Sequence, residues 1–416
     1  MFYDKTVLDN GMTVITERMD TMRSVAIGIW VAVGSRDEEY ADAGMSHFLE
    51  HMMFKGTPTR SAADISQAFD RLGAELNAFT SKEYTCYYAR VLDQHVPIAI
   101  EILSDMVVNS TLAPDAISSE REVVLEEISR TEDTPDDRVH ELFAQTLWPD
   151  HPLGRPVLGQ RETVGAFDQA QGFAFKNTHY GTGSVVVAAA GDVDHDAVVE
   201  LAKRYLPLPE ASAHGRVHAT PMVESRLQVL KKDTEQAHIC WGVPGLKATD
   251  EERFTLSVLD ATLGGGMSSR LFQEIREKKG LAYAVYSYHS LYQDTGAYTV
   301  YAGTRPGNME QVVRMVQTEI EKVKQDGITA EELDRAKESM KGQLVLGLES
   351  TRNRMTRLGK AQVTDTPILS IDELVERVES VTGEDVTALA RRLFGGERAL
   401  TVIGPFDVAK IEHLLD

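Results

Sequence analysis

Residues 44–54 read Gly44-Met45-Ser46-His47-Phe48-Leu49-Glu50-His51-Met52-Met53-Phe54, and Gly56 with Pro58 follow. The run predicts a short helix that the glycine and proline end. At about 100° per residue, His47 and His51 stand about 40° apart and Glu50 about 60° from His47. Met45, Phe48, Leu49, Met52 and Met53 fill the other half of the wheel, so an apolar face meets a core while His, Glu and His emerge together. Two imidazoles one turn apart can reach one tetrahedral cation. A solvated polar face gives the same pattern, and the motif alone leaves both readings standing.

A metal site of this kind needs a third protein ligand and an open position for water. From Pro114 to Asp137 the chain carries nine acidic residues against Arg121 and Arg130. On a helix over 117–131, Glu122 and Glu126 fall on the wet side. Glu120 and Glu127 share the side of Val123 and Val124, about 20° apart. A carboxylate turned toward a core is costly unless it is paired or binds metal. Salt bridges to Arg or Lys and a metal ion both account for Glu120 and Glu127.

Outward from these helices, Lys5–Glu17 alternates around Asn10-Gly11, a hairpin dipeptide. Val25–Val33 is a β-rich run, Ala62–Leu72 a helix stopped by Gly73, and Glu75–Arg90 a pair of strands. Helices are expected over Pro97–Asn109 and Asp115–Thr131, a buried strand over Ser184–Gly191 and a helix over His195–Tyr205. Leu206–Pro221, rich in Pro, Ala, Gly and Ser, reads as a linker. The chain then repeats itself weakly but in order. SVVVAAAGDVDHDAVVELAKRYL resembles ALTVIGPFDVAKIEHLL near the C-terminus, and Leu112–Ile128 resembles Ile328–Leu344. Similarity of this length suggests duplication. The expected fold is α+β: two homologous halves, residues 1–218 and 219–416, each a mixed, mostly antiparallel sheet with helices on one face. Gln343 falls opposite Glu127 and the second half has no HxxEH, so metal is expected in the first half alone.

The chain has 416 residues, 42% hydrophobic and 26% charged, as in ordinary globular proteins. Its net charge of −21 argues against nucleic acid and anionic membranes as partners. It suits a basic peptide, and it suits solubility alone. The N-terminal stretch shows no basic run followed by an apolar one, and no run of about 18 apolar residues occurs. Cys86 and Cys240 match no redox or zinc spacing. Together these features give a cytoplasmic expectation.

HFLEH with a distal glutamate resembles the inverted zincins of the pitrilysin, insulin-degrading enzyme and mitochondrial processing peptidase family. His51 and Glu127 stand 76 positions apart, as the family pattern requires. The resemblance implies one Zn2+ per chain held by His47, His51 and Glu127, with Glu50 as catalytic base and Glu120 as support. Asn77-Ala78-Phe79-Thr80-Ser81 resembles the family's substrate-pairing edge strand. Arg276 and Tyr283, seven apart, resemble the pair that the family's second half contributes to the site. Length and motif style resemble the β-type subunit of the processing peptidase and its bacterial relatives. The family arrangement implies a clamshell of two halves, and a homodimer.

The implied activity is that of a zinc metalloendopeptidase. Glu50 takes the proton of a zinc-held water and passes it to the leaving amine, while Tyr283 and Arg276 face the developing oxyanion. An extended, possibly basic peptide would bind as an added strand along Asn77, Ala78, Phe79 and Thr80. Two rivals share these residues. A catalytically silent partner subunit of the same fold would be expected to have lost ligands, and this chain retains the set. A peptide-binding module would capture without cutting and yield no new termini.

Overall fold

The structure is a computed structural model that describes residues 2–211, 215, 216, 218 and 221–415, so the expected linker lies partly outside the described residues. Strands β1 (Asp4–Val7) and β2 (Thr13–Arg18) pair antiparallel across the Asn10-Gly11 turn, where Gly11 takes φ 88°. They join β3 (Ser24–Val31), β4 (Glu75–Thr80), β5 (Thr85–Leu92) and β6 (Val185–Gly191) in a sheet of order β1-β2-β6-β3-β5-β4. β2 and β6 run parallel and the other pairs antiparallel. β4 is an edge strand.

A second sheet contains β7 (Arg226–Lys231), β8 (Ala237–Gly245), β9 (Ala282–Leu291), β10 (Gly296–Thr304) and β11 (Ala399–Gly404) in the order β7-β11-β8-β10-β9. Its single parallel pair is β7 with β11. Taken strand by strand, this order reproduces β2-β6-β3-β5-β4. The weak internal repeat is thus matched by topology, and the expected α+β fold of two similar halves is the observed one.

Helices α1 (Met45–Met52), α2 (Ala62–Leu72), α3 (Val96–Asn109) and α4 (Pro114–Asp133) follow within the first half. α2 has the expected limits. The Ser61 side chain accepts the Asp64 N–H at its start, and Gly73 closes it in the left-handed conformation at φ 61°. Val25, Ile27, Ile29 and Val31 of β3 face a core that includes Phe48 and Leu49 of α1 and Leu103 and Met106 of α3.

The other face of each sheet is covered too, an addition to the expected one-sided layering. Ala26 and Trp30 of β3 pack against Met355, Leu358 and Val363 of the helix Thr351–Val363. Trp30 is fully buried, its Nε1–H lies 3.3 Å from the Met355 sulfur, and a Cβ on Gly359 would come within 2.2 Å of the indole. Truncating Trp30 to alanine would cost about 3–5 kcal/mol. On the second sheet, Cys240 and Tyr301 pack against Val139, Leu142, Phe143 and Leu147 of α5 (Pro135–Leu147). Because both faces are dry, β3 reads as a continuous apolar run rather than an alternating one.

The compact units therefore differ from a simple halving of the chain. One comprises Met1–Ser129, Arg155–Val217 and Leu346–Ile368, and the other Arg130–Gly154, His218–Val345 and Leu369–Asp416. Thus α5 lies in the second unit and Thr351–Val363 in the first. Among the described residues no single helix is long and apolar enough to cross a membrane.

Candidate metal centre

α1 begins at Gly44, held at φ 97°. A Cβ there would meet the Gly159 backbone at 2.8 Å, so only glycine fits. The Glu38 carboxylate caps the helix from outside it, accepting the N–H of Gly44 and of Ser46, each at 2.8 Å. Burial pushes the Glu38 carboxyl up to about 7, against the lowering effect of those two bonds. Met45, Phe48, Leu49 and Met52 are buried as the helical wheel requires, while His47, Glu50 and His51 are half-buried.

α4 buries Ile117, Glu120, Val124 and Ile128 and exposes Glu122 and Glu126. Val123, placed on the inner side by the wheel, is exposed, so the buried stripe is narrower than expected. Glu127 sits on its margin. One of its oxygens, Oε2, lies 3.7 Å from His47 Nε2 and 3.7 Å from His51 Nε2. One ligand atom from each residue lies within 4.8 Å of the others, the one such metal-ready group among the described residues.

These three residues fit a divalent cation. Donors about 2 Å from a tetrahedral ion stand about 3.3 Å apart, close to the spacing here. Burial, and secondly His51, hold the His47 imidazole down to about 3, so it is neutral. On His51, Nδ1 donates to Glu120 Oε2 at 3.1 Å, which leaves Nε2 turned toward Glu127. Glu127 Oε2 is buried and has no hydrogen-bond partner among the described residues. Lone pairs thus converge on one point, an arrangement that a cation resolves and that leaves a cost without one.

Glu120 is buried, with Lys55 Nζ 2.5 Å from its other oxygen. The series Lys55, Glu120, His51 fixes the ring's tautomer and orientation. Lys55 went unread in the sequence, although it stands one turn beyond His51. Glu50 receives the hydroxyl of Thr80, at the end of β4, on Oε2 at 2.6 Å. Burial raises the Glu50 carboxyl, while Thr80 and His51 oppose that rise.

The remaining predicted residues divide. Asn77, Ala78 and Phe79 lie on edge strand β4. The Asn77 side chain covers the Ala78 N–H at 2.8 Å, and Phe79 turns to the opposite sheet face against Trp30. Arg276 and Tyr283 belong to the second unit, where a π-helical turn, Phe272–Glu277, brings them together. The Arg276 guanidinium lies 4.7 Å from the Phe272 ring and 5.3 Å from the Tyr283 ring, and Tyr283 is exposed.

Two imidazoles and a carboxylate, presented by two helices beside a mixed sheet, define a class of metal-binding site found in peptidases. The chain belongs to the M16 family of peptidases: residues 13–161 match the description "Insulinase (Peptidase family M16)", and residues 169–340 match "Peptidase M16 inactive domain". An uncharacterized zinc protease of Streptomyces coelicolor is 45% identical, covering 99% of this chain and 92% of its own length. The uncharacterized zinc protease YmxG of Bacillus subtilis is 44% identical over 95% of this chain and 97% of its own length. A solved peptidase M16 inactive domain from Pseudomonas fluorescens superposes with a TM-score of 0.92 at 22% identity, covering 98% of this chain and 99% of that one. A protease from Helicobacter pylori gives 0.89 at 24% identity, covering 97% and 99%.

Proposed function

We propose that this chain is a zinc-dependent endopeptidase acting on extended peptides that lie along β4 as an added strand. The observation that carries the proposal is the convergence of a neutral His47, His51 and the partnerless Glu127 oxygen on one point. The zinc protease relatives support the choice of metal. His47, His51 and Glu127 would hold the ion, with Glu120 and Lys55 locking the His51 ring. A bound zinc ion supplies a Lewis acid and a water of lowered pKa.

Glu50 is the proton carrier. Thr80 occupies Oε2 and fixes the carboxylate plane, which leaves the other oxygen to take a proton from the attacking water and deliver it to the leaving amine nitrogen. A raised proton affinity at Glu50 suits that task, since it brings the group closer to neutral pH. The same strand that positions Thr80 offers its free edge to the substrate, so base and substrate share one rigid support.

The test combines metal analysis of the purified protein with digestion of a peptide library read by mass spectrometry. One zinc per chain and new internal termini are expected, and Glu50→Gln should keep the zinc and lose turnover by about 10²–10⁴-fold. A zinc-free active protein, or a fully active Glu50→Gln, would overturn the reading.

A further inference from the structure

The second unit contains a counterpart of the metal centre from which the metal ligands have gone and one carboxylate has stayed. Helix Arg253–Leu263 follows β8 as α1 follows β3. His47-x-x-Glu50-His51 is replaced there by Ser257-x-x-Asp260-Ala261 at the same spacing. On the helix Ala330–Gly347, Ala336 and Gln343 stand seven apart where α4 has Glu120 and Glu127. The hydroxyl bond is repeated as well: Ser287 of edge strand β9 donates to Asp260 Oδ1 at 2.5 Å, as Thr80 of β4 does to Glu50. Tyr298 donates in turn to Ser287 at 2.9 Å.

Replacing two imidazoles and a carboxylate by Ser257, Ala261 and Ala336 removes bulk, and a cavity of about 690 Å³ lies there, lined by all five replacement residues. Asp260, with a side chain 15% exposed, looks into it. Its one ionic neighbour among the described residues is His289, 3.5 Å away; no Lys or Arg pairs with it. The other carboxylate of the lining, Glu332, is already matched by Arg270 at 2.7 Å. Arg335, the one Lys or Arg of the lining, pairs with Glu331 at 3.7 Å rather than with Asp260, and a mostly buried carboxylate without its own cation favours an incoming one. Met267, Met340 and Leu344 line the same space and suit an alkyl stem.

We propose that this cavity binds the Lys or Arg side chain of an extended peptide, with the ammonium or guanidinium on Asp260. The inference rests on the reading of the chain as a protein that takes extended peptides. It adds a second anchoring point, on an edge strand that the second unit shares with the first by topology.

The test uses two fluorescein-capped 12-residue peptides that differ only in one lysine exchanged for norleucine, so that lysine is the sole cation. Their binding to zinc-loaded full-length Glu50→Gln is followed by fluorescence anisotropy. Lysine is expected to bind about tenfold tighter, the size of one charge-assisted contact. Adding Asp260→Asn should abolish the difference. So should adding Ser339→Trp, which fills the cavity from an exposed position and tests the same point even if Asp260→Asn fails to fold. Equal affinities for the two peptides, or a preference that persists in both added variants, would overturn the proposal. Failure of the wild-type protein to cleave either peptide would instead count against the peptidase assignment and leave the affinity comparison readable.

Discussion

Thr80 donates its hydroxyl to Glu50 Oε2 across 2.6 Å, joining the last residue of an edge strand to the carboxylate between two metal-ready imidazoles. The bond stabilises the ionised form of Glu50 and opposes the rise caused by burial. Thr80→Val keeps the shape and removes the donor. Since the base must be ionised to act, the acidic limb of the kcat/KM profile should move up in Thr80→Val while zinc content stays constant. An unmoved limb would remove Thr80 from the machinery.

Glu120 touches His51 on the ring nitrogen turned away from Glu127, and Lys55 balances its charge. Glu120→Gln should weaken zinc affinity by about 10–100-fold. Competition against a fluorescent chelator measures this directly, and added zinc should restore turnover. Lys55→Met leaves Glu120 buried without its cation and should shift zinc affinity in the same direction. Wild-type affinity in both would show that the pair is structural only.

Glu38 links pH to stability. Its carboxyl is raised from 4.5 to about 7 in the fold, so between those values the native state binds the proton that the unfolded state has lost. Native stability from this group is therefore greatest below pH 4.5 and falls as pH rises through 7, by about 3 kcal/mol in all. Glu38→Gln does not titrate. Urea unfolding at pH 5 and pH 8 should show the variant gaining on wild type at the higher pH. A constant difference between the two proteins would contradict the assignment.

Gly359 has no room for a side chain against Trp30. Alanine ordinarily stabilises a helix interior by about 1 kcal/mol over glycine. Here overpacking opposes that gain, and a net loss of about 1–2 kcal/mol is expected from Gly359→Ala in chemical denaturation. A gain in stability would mean that the indole yields freely.

The sequence carries the metal centre where one helix decides it and loses it where two strands do. The apolar half of α1 places His47, Glu50 and His51 on one side, because a helix reports its own geometry through its period. The energetic oddity of carboxylates beside valine likewise separates Glu120 and Glu127 from Glu122 and Glu126. Thr80 meets Glu50 only through strand pairing and chain distance, which no local period encodes. Glu38 hides among Asp37 and Glu39, where three acidic neighbours read as solvated surface. The repeat predicts two like sheets, yet nothing in an amphipathic helix names the sheet that it will cover. For that reason the placement of α5 and of Thr351–Val363 emerged only from the fold.

That placement has a practical consequence. A scission at the connecting segment after Leu206 would part each sheet from the helix that roofs its second side, exposing Trp30 in one fragment and Tyr301 in the other. Fragments made alone should be sticky and insoluble, and made together they should reassemble by returning each borrowed helix to its owner's sheet.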